Sequence, residues 1–209
     1  SFLDGTKPAI ESAAISNATG LNAPTNGLTY PSGSIDDIAS LMRPRNEGGV
    51  LETAGMVEVI SSIADDGTMI PNDIRQGVWV VVKATTEYQK NCFEEYMVST
   101  DNSGLYYCNF KRFHLIGLEL GLSVGSVGIR EEATGASKEF RSDVVAVSKK
   151  NLKAGEMLDG EGGYCVAGQL RPSRISVPMR ALPLGLTGDI KLLRDVPVDT
   201  ILTYDDVKI

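Results

Sequence analysis

The chain has 209 residues, 42% of them hydrophobic and 22% charged, with 22 glycines, which fits a soluble α/β or β-rich protein and excludes collagen-like and disordered classes. A net charge of −7 with scattered Lys and Arg argues against a nucleic-acid partner, because a phosphate backbone selects clustered basic residues. No apolar run approaches the roughly 18 residues that span a bilayer, and no basic stretch followed by an apolar one opens the chain; a cytoplasmic protein with no membrane partner is expected.

The opening stretch SFLDGTKPAIESAAISNATGL reads as a helix. Pro8 suits its first turn, Ile10, Ala13 and Ala14 can line one face, and Gly20 offers a stop. Lys7 opposes the helix dipole there, so stability does not explain its place. NAPTNGLTYPSG then reads as a long surface loop, and Ser34 caps the short helix SIDDIASLM, whose first turn holds Asp36 and Asp37. Arg43 and Arg45 follow in LMRPRNEGG. GMVEVI (55–60) and VWVVVKA (78–84) read as strands, the second apolar enough to be buried on both faces. TTEYQKNCFEEYM reads as a helix, STDNSG as a turn and LYYCNF as a strand. In HLIGLELGLSVGSVGI, leucines at 115, 118 and 122 and glycines at 117, 121 and 125 predict a buried helix against which another backbone packs closely.

EEATGASKEFRS is polar and aperiodic, which places a boundary between a domain of residues 1–136 and a smaller one of 137–209. The second part repeats itself. KNLKAGEMLDGE (150–161) and RDVPVDTILTYDD (194–206) share the order basic, Asn or Asp, aliphatic, turn residue and leucine at a constant offset of 44, as a duplicated strand-turn-strand would. Cys92, Cys108 and Cys165 are odd in number and far apart, so neither a disulfide framework nor a zinc site is expected. The pairs Glu131–Glu132 and Asp205–Asp206 read as solvated faces, and Asp159, Glu161 and Tyr164 as turn architecture.

KNLKAGEMLDGEGGYCVAGQL and ALPLGLTGDIKLLRDVPVDTILTYDDVKI resemble a SAF domain, a β-clip module. More narrowly they resemble the tail of bacterial homoserine-dehydrogenase-like oxidoreductases. SFLDGTKPAIESAAISNATGL resembles the segment that follows the nucleotide-binding domain in that family, and YYCNFKRFHLIGLELGLSV its stretch before a long helix. The resemblance implies an α+β protein: a mixed substrate-binding and dimerisation domain, then a small β-clip domain, with the Rossmann domain lying outside this chain. It implies an NAD(P)-dependent oxidoreductase, homoserine-dehydrogenase-like or deoxyxylulose-phosphate-reductoisomerase-like. The expected substrate is a small phosphorylated or carboxylated hydroxy or keto compound. NADPH or NADH would be bound mainly by the absent domain, and a homo-oligomer is expected. The 209 residues alone would be inactive, as the carboxy-terminal part of such an enzyme.

In homoserine dehydrogenases an Asp and a Lys about a helical turn apart do the proton work at the reacting oxygen, a role that falls here to Asp4 and Lys7. His114, the lone histidine, is a candidate for acid–base work, with Arg112 on the same strand face holding an anion. Arg43 and Arg45 form a second basic point, and Lys83 a weaker third. The rival reading is a non-catalytic sugar-acid-binding or assembly module. A dehydratase-type lyase would need metal-ligand clusters that the sequence lacks.

Overall fold

The computed structural model describes residues 3–209; Ser1 and Phe2, which open the first resembling stretch, lie outside the described residues. Helices and small antiparallel sheets mix in an α+β fold. The chain divides into two compact units, one of residues up to 28 with 55–57 and 136–209, the other of 29–54 and 58–135. The opening helix therefore groups with the carboxy-terminal residues, although the sequence placed it in a separate domain of 1–136.

In the first unit, α1 (Thr6–Thr19) runs between two left-handed glycines, Gly5 and Gly20, the stop at Gly20 being the one the sequence predicts. Its buried face consists of Thr6, Ala9, Ser12, Ala13 and Ser16, while Ala14 is exposed. Only small residues let the helix lie close on β5 (Val166–Pro172), and Gly168 completes that approach. A Cβ there would sit 2.7 Å from Val144 Cγ1 and 2.8 Å from Leu184 Cδ2. β5 pairs antiparallel with β3 (Ser142–Ser148), from Ser142 opposite Pro172 to Ser148 opposite Val166.

The predicted repeat is realised as a local two-fold hydrogen-bonding pattern. Leu152 and Val196, equivalent in the repeat, pair with each other, N–H to carbonyl, at 2.8 and 3.0 Å. Gly155 N–H donates to the Leu192 carbonyl, and its equivalent Asp199 donates to that of Ser148. The Asn-or-Asp position is explained in the same way: Asn151 Oδ1 accepts the Val198 N–H at 3.0 Å, and Asp195 Oδ1 accepts the Ala154 N–H at 2.9 Å. Each copy caps the turn of the other. β4 (Met157–Asp159), β6 (Gly188–Leu192) and β7 (Val207–Lys208) form a three-stranded antiparallel sheet in the order β4-β6-β7. Leu152, Leu158, Leu182, Leu192, Leu202 and Val166 are fully buried in the core between the copies. Each contributes about 1.5–3 kcal/mol, whereas a surface ion pair such as Lys153–Asp195 is screened by water, so apolar burial holds this unit together.

Asp206 corrects the solvated-face expectation. It is 4% exposed, its carboxylate accepts the Thr203 N–H and hydroxyl at 2.6 and 2.7 Å, and Arg194 pairs with it. Asp205 is exposed beside Arg180, as expected of that residue. The carboxylate of Asp159 accepts the Tyr164 and Cys165 N–H groups, which is turn architecture.

In the second unit, Ser34 precedes a 3-10 turn (Ile35–Asp37) that runs into α2 (Ile38–Leu41), and Asp37 accepts from both the N–H and the hydroxyl of Ser34. β1 (Val78–Lys83) pairs antiparallel with β2 (Tyr106–Lys111), with α3 (Glu87–Glu95) between them in sequence, capped by Thr86. β1 is not buried on both faces: Val78, Val80 and Val82 are 40–49% exposed while Trp79 and Val81 turn inward. GMVEVI forms no strand, only single bridges such as Met56 to Asn22, because no ladder continues past it.

α4 (Leu120–Arg130) is a helix as predicted, but none of its residues is buried, and Leu122, Val124 and Ile129 are more than 60% exposed. Nothing lies within 4 Å of a Cβ built on Gly121, Gly125 or Gly128, so their spacing receives no backbone here. Of the leucines that suggested the period only Leu122 lies in α4, Leu115 and Leu118 preceding it, and burial depends on a neighbour that the period does not supply. Because Leu122 contacts so little, Leu122→Gln is expected to change stability by no more than about 0.5 kcal/mol, read as a nearly unchanged thermal midpoint in circular dichroism.

Candidate functional site

Asp4 stands in the turn that leads into α1. Its Oδ1 accepts the Thr6 N–H at 3.1 Å, and its Oδ2 pairs with the ammonium of Lys149, which follows β3. Burial alone would raise the Asp4 pKa, but hydrogen bonds from Lys149 and Thr6 outweigh it and hold the carboxyl at about 2. Thr6 Oγ1 accepts the Gly168 N–H at 2.8 Å in a buried contact that fixes the turn from the other side. Lys7 follows half-buried in the first turn of α1, a turn that contains no acidic residue. A lysine in a helical first turn, with a carboxylate fixed three residues earlier, is an arrangement able to move a proton at a hydroxyl or carbonyl oxygen.

The second unit holds the other residues singled out in the sequence. Arg43 is committed to protein partners: Nε donates to the Ser40 carbonyl at 2.8 Å, one terminal nitrogen to Asp101 at 2.9 Å and the other to the Gly48 carbonyl at 3.4 Å. Asp101 is fully buried and also accepts the Leu105 and Tyr106 N–H groups and the Ser103 hydroxyl. Lys83 and Tyr106 are cross-strand partners, so Lys83 Nζ sits 5.4 Å from the Tyr106 ring centre, with the Arg43 guanidinium at 5.8 Å. Glu47 closes the group, pairing with Lys83 and accepting the Tyr106 hydroxyl at 2.7 Å. Burial raises the Tyr106 pKa and the Glu47 carboxylate raises it further, keeping the phenol protonated. Arg45 stays exposed on the neighbouring 3-10 turn and donates through Nε to the Val50 carbonyl.

Arg112 and His114 do not share a strand face, because β2 ends at Lys111. Arg112 turns to Asn72 Oδ1 and the Asp73 carbonyl. His114 Nδ1 lies 3.4 Å from Glu119 Oε2, and that carboxylate also pairs with Lys111. Both residues are exposed. The structure thus brings Arg43 together with Asp101, Tyr106, Lys83 and Glu47, and sets Arg45, Arg112 and His114 apart from that group.

Sequence reasoning missed Lys149, Tyr106, Glu47 and Asp101. Only Lys149 had a signal: its equivalent in the other copy of the repeat is Leu193, so a lysine there is a departure from the pattern.

A family model described as the catalytic domain of oxidoreductase DRL matches residues 1–120, more than half of the chain. The chain belongs to this oxidoreductase family. No curated protein matches it. The match takes in α1 with Asp4 and Lys7, both basic points and the β1–β2 pair, and residues 121–209 lie beyond it. An oxidoreductase of this DRL group implies a redox cofactor such as a nicotinamide. The described residues do not fit a dinucleotide cradle: β2 is antiparallel to β1, and Gly121, Gly125 and Gly128 lie inside α4 instead of in a strand-to-helix turn. Among the described residues there is also no cluster of metal-ligating side chains, and no helix is long and apolar enough to cross a membrane.

Proposed function

We propose that the chain supplies the substrate-handling and SAF-like parts of an NAD(P)-dependent oxidoreductase, homoserine-dehydrogenase-like or deoxyxylulose-phosphate-reductoisomerase-like. Its substrate is a small anionic hydroxy or keto compound. The observation that carries this reading is the turn that opens at Asp4, whose two carboxylate oxygens are both anchored, and leads to Lys7 in a helical first turn. Lys7 exchanges a proton with the reacting oxygen, and Asp4, held ionised, fixes the local charge against which it does so. Within the second unit, Arg112, His114 and Arg45, cationic or cationisable and exposed, are groups able to hold an anion. Arg43 is a clamp that ties its own loop to Asp101. NADPH or NADH is held mainly by a domain outside these residues.

A thermal-shift screen of sugar phosphates and sugar acids on the intact oxidoreductase tests the reading. Stabilising hits are expected to lose most of their shift in Lys7→Ala or in His114→Ala. Hits that both variants retain in full would overturn the assignment.

A further inference from the structure

We propose that the carboxy-terminal β unit is part of the reaction machinery, with Lys149 acting as a positioning residue that orients the Asp4 carboxylate for Lys7. The inference rests on the proton-transfer reading above. Lys149 lies 145 positions from Asp4 in sequence, and its ammonium is bracketed by Asp4 Oδ2 and the Gly163 carbonyl, the latter at 2.7 Å. Because the Thr6 N–H takes Oδ1, both carboxylate oxygens have fixed donors and the group cannot swing. The Gly163 carbonyl is itself fixed, since Asp159 ties down the next two N–H groups of the same turn at 2.6 and 3.0 Å. On the other side of Gly5, the buried Gly168-to-Thr6 hydrogen bond provides a second anchor from the β unit. A side chain at residue 168 would press on Thr6 Cγ2, 3.2 Å from its Cβ, so this anchor depends on a glycine.

The repeat separates what the β fold requires from what Lys149 adds. Lys150 and Arg194 are equivalent, both basic, and each pairs with an acid of its own copy, Glu156 and Asp206. One position earlier the copies diverge: Leu193 is 55% exposed, while Lys149 is drawn in toward Asp4, its side chain 25% exposed. The fold therefore builds this turn without a cation when Asp4 is not beside it. A partly exposed ion pair adds little to stability, so a purely structural account leaves the placement of Lys149 unexplained.

The test follows the Asp4 carboxyl by carbon NMR in the intact oxidoreductase, together with turnover on a compound found in the screen. In the wild type Asp4 is expected to remain ionised at pH 3.5. In Lys149→Met, and in Lys149→Gln should the first variant fold poorly, its midpoint is expected to rise toward the ordinary 3.8, while Lys149→Arg keeps it low. Turnover is expected to fall about tenfold in Lys149→Met with KM little changed, to recover in Lys149→Arg, and to show no further loss when Lys149→Met is added to Asp4→Asn. An Asp4 titration unmoved in a folded Lys149 variant, or losses that add on the Asp4→Asn background, would overturn the proposal. Turnover untouched by Asp4→Asn and Lys7→Ala would instead overturn the proton-transfer reading, while a shifted Asp4 midpoint would still establish the Lys149 contact.

Discussion

Lys7→Ala in the intact oxidoreductase is expected to lower kcat by about 10²–10⁴-fold, the range for a positioned acid or base. The residue stands half-buried at the head of a helix whose opening turn carries no acidic side chain, where the helix dipole disfavours a cation. Removing it costs little structurally, because the buried face of α1 is made of Thr6, Ala9, Ser12, Ala13 and Ser16. Lys7→Arg should recover little activity, since a guanidinium stays protonated and cannot exchange a proton with substrate. The measurement is steady-state turnover with the compound from the screen, alongside a melting curve showing that the fold is kept. Unchanged turnover in Lys7→Ala would remove the residue from proton transfer.

The elements written most plainly in the sequence are those whose cause is local or repeated. Gly20 ends α1 where predicted, Thr86 and Ser34 stand at helix starts, and the offset of 44 becomes reciprocal hydrogen bonds between equivalent residues. Burial was harder to read, because it is settled by neighbours distant in sequence. Val78, Val80 and Val82 have the composition of a core strand, yet they form one face of a two-stranded pair. GMVEVI has strand residues but no partner able to extend a ladder.

The site divides along the same line. Asp4 and Lys7 could be singled out because the stretch that holds them spans four residues. Lys149 reaches Asp4 across 145 positions, and only its mismatch with Leu193 could have marked it. Arg112 and His114 were paired on the assumption that the strand runs through both, and its end at Lys111 sends them to different partners. Arg43 read as one half of a basic point with Arg45, whereas a buried acid in the STDNSG turn, 58 positions later, holds it in place.

That pairing carries the largest stability effect expected in the chain. Asp101→Ala should destabilise the second unit by about 3–5 kcal/mol, because it leaves a charged partner and several N–H donors without an acceptor in a buried setting. Asp101 has no side-chain exposure, and its carboxylate accepts from Arg43 at 2.9 Å, Ser103 at 2.8 Å, Tyr106 at 3.0 Å and Leu105 at 3.1 Å. At about 2–4 °C per kcal/mol for a chain of this size, the thermal midpoint should fall by roughly 6–20 °C. Burial pushes the Asp101 pKa up, but the Tyr106 N–H, the Ser103 donors and Arg43 together bring it below the ordinary 3.8. A folded-state pKa below the unfolded one means that the stabilisation is complete above pH 3.8 and is lost as pH falls through the folded value. The gap between wild type and Asp101→Ala should therefore narrow below that range. The same melts decide what Arg43 does. If it is a clamp, Arg43→Ala lowers the midpoint in the absence of any ligand, as Asp101→Ala does. If it holds the anion, Arg43→Ala melts like the wild type and loses only the ligand-induced shift. The four fixed acceptor contacts at Asp101 predict the first result.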